Sequence, residues 1–255
     1  MNNSYKEYLR KLKLNKIKIY LYQISILIIF LLLWQILTEK NIIDSFIFSS
    51  PKNIINTLIS LYKNQNLFIH INTTLYETLI SFIISMIISI FVAFLLWYFP
   101  TLAKIIDPYL TILNSLPKVA LGPIILIWFG TNTTSIIIMA ILISCIVLTI
   151  NIYSGFNNVD TNKIKLIKSI TSSKFKLFKF LIFPSNIKNI FNNLKICISM
   201  SLIGIIMGEF LVSKKGIGYL ILYGSQVFNL DLVMTGIFIL CICATILYYL
   251  IEKKS

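Results

Sequence analysis

The stretch TTLYETLISFIISMIISIFVAFLLWY, residues 73–98, decides the fold class of this chain. It contains 26 residues and a single charged side chain, Glu77. Crossing the hydrocarbon core of a bilayer takes about 20 residues of α-helix, and backbone polar groups in lipid must pair within the helix itself. The length and composition of this stretch therefore predict a transmembrane helix rather than the core of a soluble domain.

Five further segments are long enough and apolar enough to cross a membrane in the same way. They are residues 19–38, 108–129, 135–155, 192–212 and 231–251. The chain is 57% hydrophobic and 13% charged, whereas soluble domains carry about 25% charged residues. The alternating pattern of a membrane β-barrel strand is absent from the sequence. The predicted fold class is all-α, a polytopic membrane protein with about six transmembrane helices.

The distribution of lysine and arginine predicts the orientation of these helices. With the N-terminus inside, the inner segments carry 16 basic residues and the outer segments carry five. Cytoplasmic segments of membrane proteins are enriched in Lys and Arg. Both termini are therefore predicted to be cytoplasmic, and the net charge of +14 reflects this topology rather than binding to nucleic acid. The first apolar segment is too long for a secretory signal, so we expect it to be retained.

The spans divide the chain into a basic cytoplasmic N-terminus, a first transmembrane helix, an outer loop, a transmembrane core and a cytoplasmic tail, at residues 1–18, 19–38, 39–72, 73–251 and 252–255. The outer loop is predicted to contain a short helix, because Ser50 is a good capping residue and Pro51 suits the first helical position. The core includes a long inner loop, residues 156–191.

The inner loop carries a basic amphipathic segment ahead of Pro184. Thr171 to Ser173 predict a break between two short helices, with Ser173 capping the second. Such a segment can lie on anionic lipid or dock onto a cytoplasmic partner, and the two interpretations are compatible. Apolar or small residues recur every three or four positions and predict one helical stripe, formed by Ile164, Ile167, Thr171, Phe175, Phe178 and Ile182.

The third span contains polar residues and helix breakers that are costly in lipid unless they face protein or water. A discontinuous helix that lines a substrate pathway would explain them, and Lys118 would then attract an anion such as a sulfonate. Alternatively, the prolines only kink the helix and Lys118 extends its ammonium group toward the interface. The candidate pathway residues in this span are Asn114, Pro117, Lys118, Gly122 and Pro123.

The fifth span contains two glycines and an acidic residue near its outer end. Gly204 and Gly208 are four residues apart, a spacing that predicts close helix packing, for example across a dimer. Glu209 follows directly and is a further candidate for the substrate pathway. Pairing of Glu209 with Lys214 or Lys215 is the favoured alternative.

The titratable side chains do not form the catalytic set of an enzyme. The single histidine, His70, stands apart from the four cysteines, which lie in apolar runs without CxxC spacing. We expect the cysteines to be small buried residues rather than a metal or redox site. The sequence also lacks a G-x-x-x-x-G-K loop for phosphate. We therefore expect no catalytic residue, no metal site and no ATP hydrolysis by this chain.

Six short stretches of sequence occur in a characteristic order. They are FSSP, NSLPKVALGP, IWFG, the inner-loop stretch that ends at Pro184, GEF and GIGYLI, at residues 48–51, 114–123, 127–130, 159–184, 208–210 and 216–221. They resemble the LPSP, LPxxALxPLxIxWFG, EAA-loop and GEF…GLGYLI segments of the permease subunits of bacterial ATP-binding-cassette importers of the nitrate/sulfonate/taurine type. The resemblance extends from Ser49 to Ile251.

The resemblance implies a permease of the bacterial inner (plasma) membrane that binds no cofactor of its own. Two copies, expected to form a homodimer, would enclose the pathway for a sulfonate, nitrate, taurine or a thiamine-precursor-like solute. Cytoplasmic ATPase subunits would consume ATP with Mg, and an extracytoplasmic binding protein would deliver the solute. The alternative is an ion-coupled secondary transporter, although the inverted repeats and deep ionisable residues usual in that class are not evident.

The resemblance also assigns the inner loop, between the fourth and fifth transmembrane helices, to a coupling helix that sits in a cleft of the ATPase. Aligned on Pro184, Lys165 replaces the motif's Glu, which reverses a charge. Thr171 replaces its Gly, which disfavours a left-handed turn. The residues expected in the coupling loop are Asp160, Ile164, Lys165, Ile167, Lys168, Ile170, Thr171, Ser172, Phe175 and Pro184.

Overall fold

A computed structural model of the chain describes residues 3–64 and 67–252, and within them every regular element is helical. The all-α prediction is confirmed. The α-helices, in chain order, are α1 (Asn3–Glu39), α2 (Ser45–Phe48), α3 (Pro51–Asn64), α4 (Leu67–Tyr98), α5 (Pro100–Ser115), α6 (Gly122–Phe129), α7 (Thr133–Asn157), α8 (Thr161–Ile170), α9 (Lys174–Leu177), α10 (Phe183–Val212), α11 (Ile217–Gln226) and α12 (Leu230–Glu252).

The helices of the structure supply five or six candidate membrane crossings, against about six predicted. Five helices are long and apolar enough to cross a bilayer, namely α1, α4, α7, the continuous helix from Lys174 to Val212, and α12. The bent pair α5–α6 supplies a sixth crossing if it is counted as one span. Six crossings leave the two ends of the chain on the same side of the membrane, as the count of basic residues requires.

The third span departs from a simple helix. It bends by 90° between Ser115 and Lys118. Pro117 has no N–H with which to continue the hydrogen-bond ladder, and the residue before it, Leu116, adopts the extended conformation (φ −66°, ψ 140°) that a following proline favours. A 3-10 turn, Lys118–Leu121, then leads into α6. The helix breakers noticed in the sequence therefore produce a broken span.

The outer-loop helix predicted to begin at Pro51 is α3. The Ser50 hydroxyl accepts a hydrogen bond from the Asn53 backbone N–H at 3.2 Å, which is the expected capping contact. A second short helix, α11, lies in the connection between α10 and α12 and begins within the GIGYLI stretch.

The centre of the bundle is formed by α4, α7 and α10, and α4 contributes a buried stripe of small polar residues. Ser85 and Ser144 share a hydrogen bond of 2.7 Å, and Ser89 donates to the Cys145 carbonyl at 3.0 Å. Small residues let transmembrane helices approach closely, and hydrogen bonds between helices add to their association. The buried polar residues of α4 are Thr74, Glu77, Thr78, Ser81, Ser85 and Ser89.

The two spaced glycines of α10 lie against α7 of the same chain. A Cβ atom on Gly204 would lie 2.5 Å from the Ala140 Cα atom, and one on Gly208 would lie 2.8 Å from Ile136 Cγ2. The backbones of α7 and α10 are therefore too close for larger side chains at these positions. The packing partner of this glycine pair is an intrachain helix, not a helix across a dimer interface.

Pro184 lies inside the long helix that leads into α10. A proline there cannot donate to the carbonyl four residues earlier, and the helix widens into a π-turn, Phe178–Ile182, just before it. The Phe183 N–H donates to the Phe178 carbonyl instead. The π-turn lets the helix continue through the proline. The second half of the inner-loop segment, from Lys174 onward, therefore forms one continuous helix with the fifth span.

Candidate functional site

The inner loop folds into two short helices with the predicted break between them. The Asp160 carboxylate accepts from the Asn162 N–H at 2.8 Å and caps α8. The Ser173 hydroxyl accepts from the Lys176 N–H at 3.4 Å and caps α9. Between the helices, Thr171 has an extended backbone with φ −145°. Any residue adopts that conformation, so the expected penalty for Thr in place of Gly is absent.

Helix α8 has one face toward the bundle and one face in contact with solvent. Ile164 and Ile167 are half-buried and pack against a core cluster that includes Phe156. The opposite surface carries two exposed apolar side chains, Leu166 (63% exposed) and Ile170 (75% exposed). Leu166 and Ile170 are four residues apart and therefore lie side by side on the helix, which makes this surface a candidate for binding. We call Lys165, Leu166, Lys168 and Ile170, all exposed, the exposed α8 face.

The predicted apolar stripe is wrong at Phe175. Phe175 is 55% exposed, whereas Leu177 is 4% exposed and belongs to the core. The stripe was counted at α-helical spacing, whereas the π-turn at Phe178–Ile182 changes the helical phase between Phe175 and Ile182, which is buried as predicted. Ser172 is exposed, and Thr171 is half-buried. Phe175 therefore lies on the exposed side of the inner segment and not in the core.

A cluster of aromatic rings attaches the inner segment to the bundle. The Phe178 ring contacts Phe94 of α4 at a centroid distance of 4.6 Å and Phe156 of α7 at 5.3 Å. The Lys174 ammonium group donates to the Tyr98 carbonyl at the end of α4 and lies 5.6 Å from the Trp97 ring centroid. A force applied to α8 and α9 would therefore reach the inner ends of both α4 and α7.

The candidate pathway residues of the third span separate into two groups. Asn114, Pro117 and Pro123 are exposed. Lys118 is half-buried, and its ammonium group donates to the Asn114 carbonyl at 3.1 Å and to the Asn114 side-chain oxygen at 3.3 Å. Gly122 is buried instead, because a Cβ atom there would lie 2.6 Å from the Leu211 side chain. The bend thus brings Asn114, Pro117 and Lys118 together, while Gly122 packs the helix.

Glu209 lies inside the bundle and not on an open surface. It is fully buried, and its carboxylate accepts from the Thr74 hydroxyl and from the Gly218 N–H, both at 2.6 Å. Lys214 and Lys215 are exposed. The expected pairing of Glu209 with one of these lysines is wrong, since its oxygens are taken by α4 and by the start of α11.

Three consecutive N–H groups at the start of α11 are held by side chains from other helices. Besides the Gly218 contact, Ile217 donates to the Thr74 hydroxyl at 2.8 Å and Gly216 donates to His70 Nδ1 at 3.1 Å. The first turn of a helix leaves such groups without partners, and a carboxylate near them also complements the helix dipole. We call His70, Thr74 and Glu209 the α11 cap.

Gly216 fits this cap in two ways. Its φ of +108° is in the left-handed region, and a Cβ atom on it would lie 2.3 Å from the Glu209 carboxyl carbon. The GEF and GIGYLI stretches are thus two sides of one structural contact. His70 and Thr74, which complete it, were not selected from the sequence because they lie 146 and 143 residues before the N–H groups they accept from.

In the described part of the chain, the cysteines do not cluster with other candidate metal ligands. Within residues 3–64 and 67–252, no group of three or more His, Cys, Asp or Glu side chains could hold a metal ion. Cys197 and Cys243 are buried and Cys145 is half-buried, as expected, but Cys241 is exposed on α12. The prediction that all four are buried is wrong for Cys241.

Comparison with known proteins places most of the chain in one family. Residues 85–254 match the family model described as "Binding-protein-dependent transport system inner membrane component". A "Probable ABC transporter permease protein" of Haemophilus influenzae is 26% identical over 224 residues, which cover 88% of this chain and 91% of the relative.

Two further relatives are named for their solutes. The "Formylaminopyrimidine transport permease protein ThiX" of Halalkalibacterium halodurans is 25% identical over 223 residues, 88% of each chain. The "Taurine transport system permease protein TauC" of Escherichia coli is 21% identical over 229 residues, which cover 88% of this chain and 83% of the relative. Each similarity extends over nearly the whole of both chains.

Proposed function

The chain belongs to the binding-protein-dependent transport system inner membrane components, the permease subunits of ATP-binding-cassette importers, and we propose that two copies of it form the pathway for a small polar solute. Relatives named for taurine and formylaminopyrimidine support a solute of that size. A cytoplasmic ATPase that uses ATP with Mg would drive the transport, and an extracytoplasmic protein would supply the solute.

The exposed α8 face carries the proposal that this chain couples to an ATPase. Leu166 and Ile170 project away from the bundle while Ile164 and Ile167 fix the same helix to it. This arrangement suits a cleft with an apolar floor on the ATPase. Lys165 stands where the resembled motif has Glu, so we expect an acidic residue opposite it on the partner, because charges across an interface are arranged to be complementary.

The attachment of the inner segment suggests how ATP binding would reach the pathway. Phe178 contacts both α4 and α7, and Lys174 holds the last residue of α4. Closure of two ATPases would bring two α8 helices together and move the inner ends of these transmembrane helices with them. Such a rigid-body movement would switch the pathway between its two sides.

The exposed polar residues at the bend support a second copy. Asn114 is exposed although it lies within an apolar segment, and Lys118 is only half-buried beside it. Polar groups facing lipid are costly. A water-filled pathway enclosed by two copies of the chain, as a homodimer, would give both groups a polar environment.

Lys118→Ala is expected to lower the uptake of an anionic solute by about tenfold, because removing a charge from a pathway lowers the local solute concentration. The measurement is the initial uptake rate of the importer in membrane vesicles. Lys104→Ala is the matched control, since Lys104 is an exposed lysine of the same bent span. Uptake at the wild-type rate in the Lys118 variant would contradict the attraction of anions by this residue.

The proposed function is tested by uptake into liposomes that contain this chain with its ATPase and binding protein. Uptake is expected to require ATP and to stop when the ATPase is replaced by a variant that cannot hydrolyse ATP. A protonophore or a sodium ionophore should leave the initial rate unchanged. Uptake without ATP, driven by an ion gradient, would contradict the proposal and favour a secondary transporter.

A further inference from the structure

A polar cavity of about 370 Å³ lies among α4, α7 and the end of α10. It is on the side that the count of basic residues assigns to the cell exterior. Its lining includes Thr73 and Glu77 of α4, Thr133 of α7, and Lys214 and Lys215 after α10. The volume is in the range of small-molecule pockets, about 300–1,000 Å³. The cavity is separate from the bend at Lys118 and from the exposed α8 face.

Glu77 forms the buried end of this cavity. Its side chain is 1% exposed, and its Oε2 atom has no hydrogen-bond partner among the described residues. Buried polar atoms in folded proteins are nearly always hydrogen-bonded, and an ionised carboxylate without a partner is especially unfavourable. A cationic group that enters the cavity would supply the partner that Glu77 Oε2 lacks.

A second carboxylate strengthens the negative character of this end of the cavity. Thr74 is three residues before Glu77 and therefore lies on the same face of α4. Its hydroxyl donates to Glu209 at 2.6 Å. Glu77 and Glu209 are consequently neighbours within the bundle, and a cation that reaches Glu77 would interact favourably with both.

The mouth of the cavity has the opposite charge. Lys214 and Lys215 are both exposed, and neither forms an ion pair within the described part of the chain. The Ser213 hydroxyl accepts from the Lys215 N–H at 3.1 Å and donates to the Lys215 carbonyl, which fixes the turn that carries them. A negative interior behind a positive mouth is complementary to a solute that carries one charge of each sign.

We propose that this cavity binds a small zwitterion, with its ammonium group at Glu77 and its anionic group at Lys214 and Lys215. The inference rests on the proposed function, because it names the class of solute that the outer side of the permease accepts. A primary ammonium group donates up to three hydrogen bonds. It would give Glu77 Oε2 its missing partner and could donate to the Thr73 and Thr133 hydroxyls beside it.

The test compares two solutes that differ only in the ammonium group. Binding of radiolabelled 2-aminoethanesulfonate, and its displacement by ethanesulfonate, are measured on the full-length chain in complex with its ATPase and without the binding protein. The wild type is expected to prefer 2-aminoethanesulfonate by about tenfold or more, the usual effect of a hydrogen bond between charged groups. The E77Q variant is expected to lose this preference.

Two control variants separate the parts of the site. E39Q removes an exposed carboxylate on the same predicted side of the membrane, one that accepts a hydrogen bond from the Gln35 side chain. This variant should retain the wild-type preference. The double variant K214A/K215A should weaken the binding of both solutes, since both carry the sulfonate. Unchanged affinity in that double variant would overturn the anionic half of the proposal.

The main outcome does not depend on the folding of E77Q, because the two solutes are first compared on the wild type. Equal affinity for the two, no binding of either, or a preference that survives in a folded E77Q would each overturn the zwitterion site. Closure of the cavity by a lysine that pairs with Glu77 would appear as no binding. Failure of the proposed function would appear separately, as uptake that does not require ATP in the complete importer.

Discussion

Replacing Leu166 and Ile170 together with aspartate is expected to abolish ATP-dependent uptake while the transmembrane bundle stays folded. Both side chains are exposed, at 63% and 75%, and substitutions on exposed surfaces usually change stability by less than about 0.5 kcal/mol. In an interface, each lost central anchor typically costs about 2 kcal/mol or more. Two such losses would weaken ATPase binding by about a thousandfold.

The measurement is co-purification of the ATPase with the permease, together with the uptake rate. Asn162→Asp is the control for added charge, because it places one negative charge on α8 at an exposed position of the first turn, where a negative charge is favourable. The control should retain both binding and uptake. Full uptake by the double variant would show that the ATPase does not contact the exposed α8 face.

Gly216→Ala is expected to have the largest effect on stability, with a loss of about 3 kcal/mol from the free energy of unfolding. A methyl group there would force a left-handed backbone on a residue with a Cβ atom. It would also collide with the Glu209 carboxylate. The N–H groups of α11 would lose the α11 cap, and a buried carboxylate would lose its partners. The apparent melting temperature of the purified permease measures the loss.

Two further variants test the cause of that effect. Ser225→Ala changes an exposed residue of the same helix and should leave the melting temperature nearly unchanged. Adding Glu209→Ala to Gly216→Ala removes the group in collision, so the two losses should be less than additive. A Gly216→Ala melting temperature equal to that of Ser225→Ala, or strictly additive losses, would contradict the described role of the cap.

The sequence predicted the membrane helices well because their signal is local. A continuous apolar run such as residues 73–98 needs no knowledge of its neighbours to be identified as a span. The caps at Ser50 and Ser173 were predictable for the same reason, since each contact joins residues three apart. The break at Pro117 could also be anticipated from the missing N–H, although its 90° angle could not.

The roles of Glu209, Glu77 and Phe175 could not be predicted because they depend on distant parts of the chain. Glu209 seemed available to the nearby lysines, but Thr74, 135 residues away, accounts for one of its hydrogen bonds. Glu77 gave no signal, because its burial depends on α7 and α10 as well as its own helix. Phe175 was misplaced because the π-turn at Phe178–Ile182 changes the helical phase, which a count at α-helical spacing does not include.

A cytoplasmic ATPase can bind the inner segment only if that segment faces the cell interior. The test is labelling of Ile170→Cys by a membrane-impermeant maleimide, in a variant whose four native cysteines are replaced by alanine. Labelling is expected in inverted membrane vesicles, with protection by the bound ATPase, and no labelling is expected in intact cells. Lys214→Cys should show the opposite sidedness. Labelling of Ile170→Cys from outside intact cells would show that the inner segment faces the exterior and that the proposed coupling is wrong.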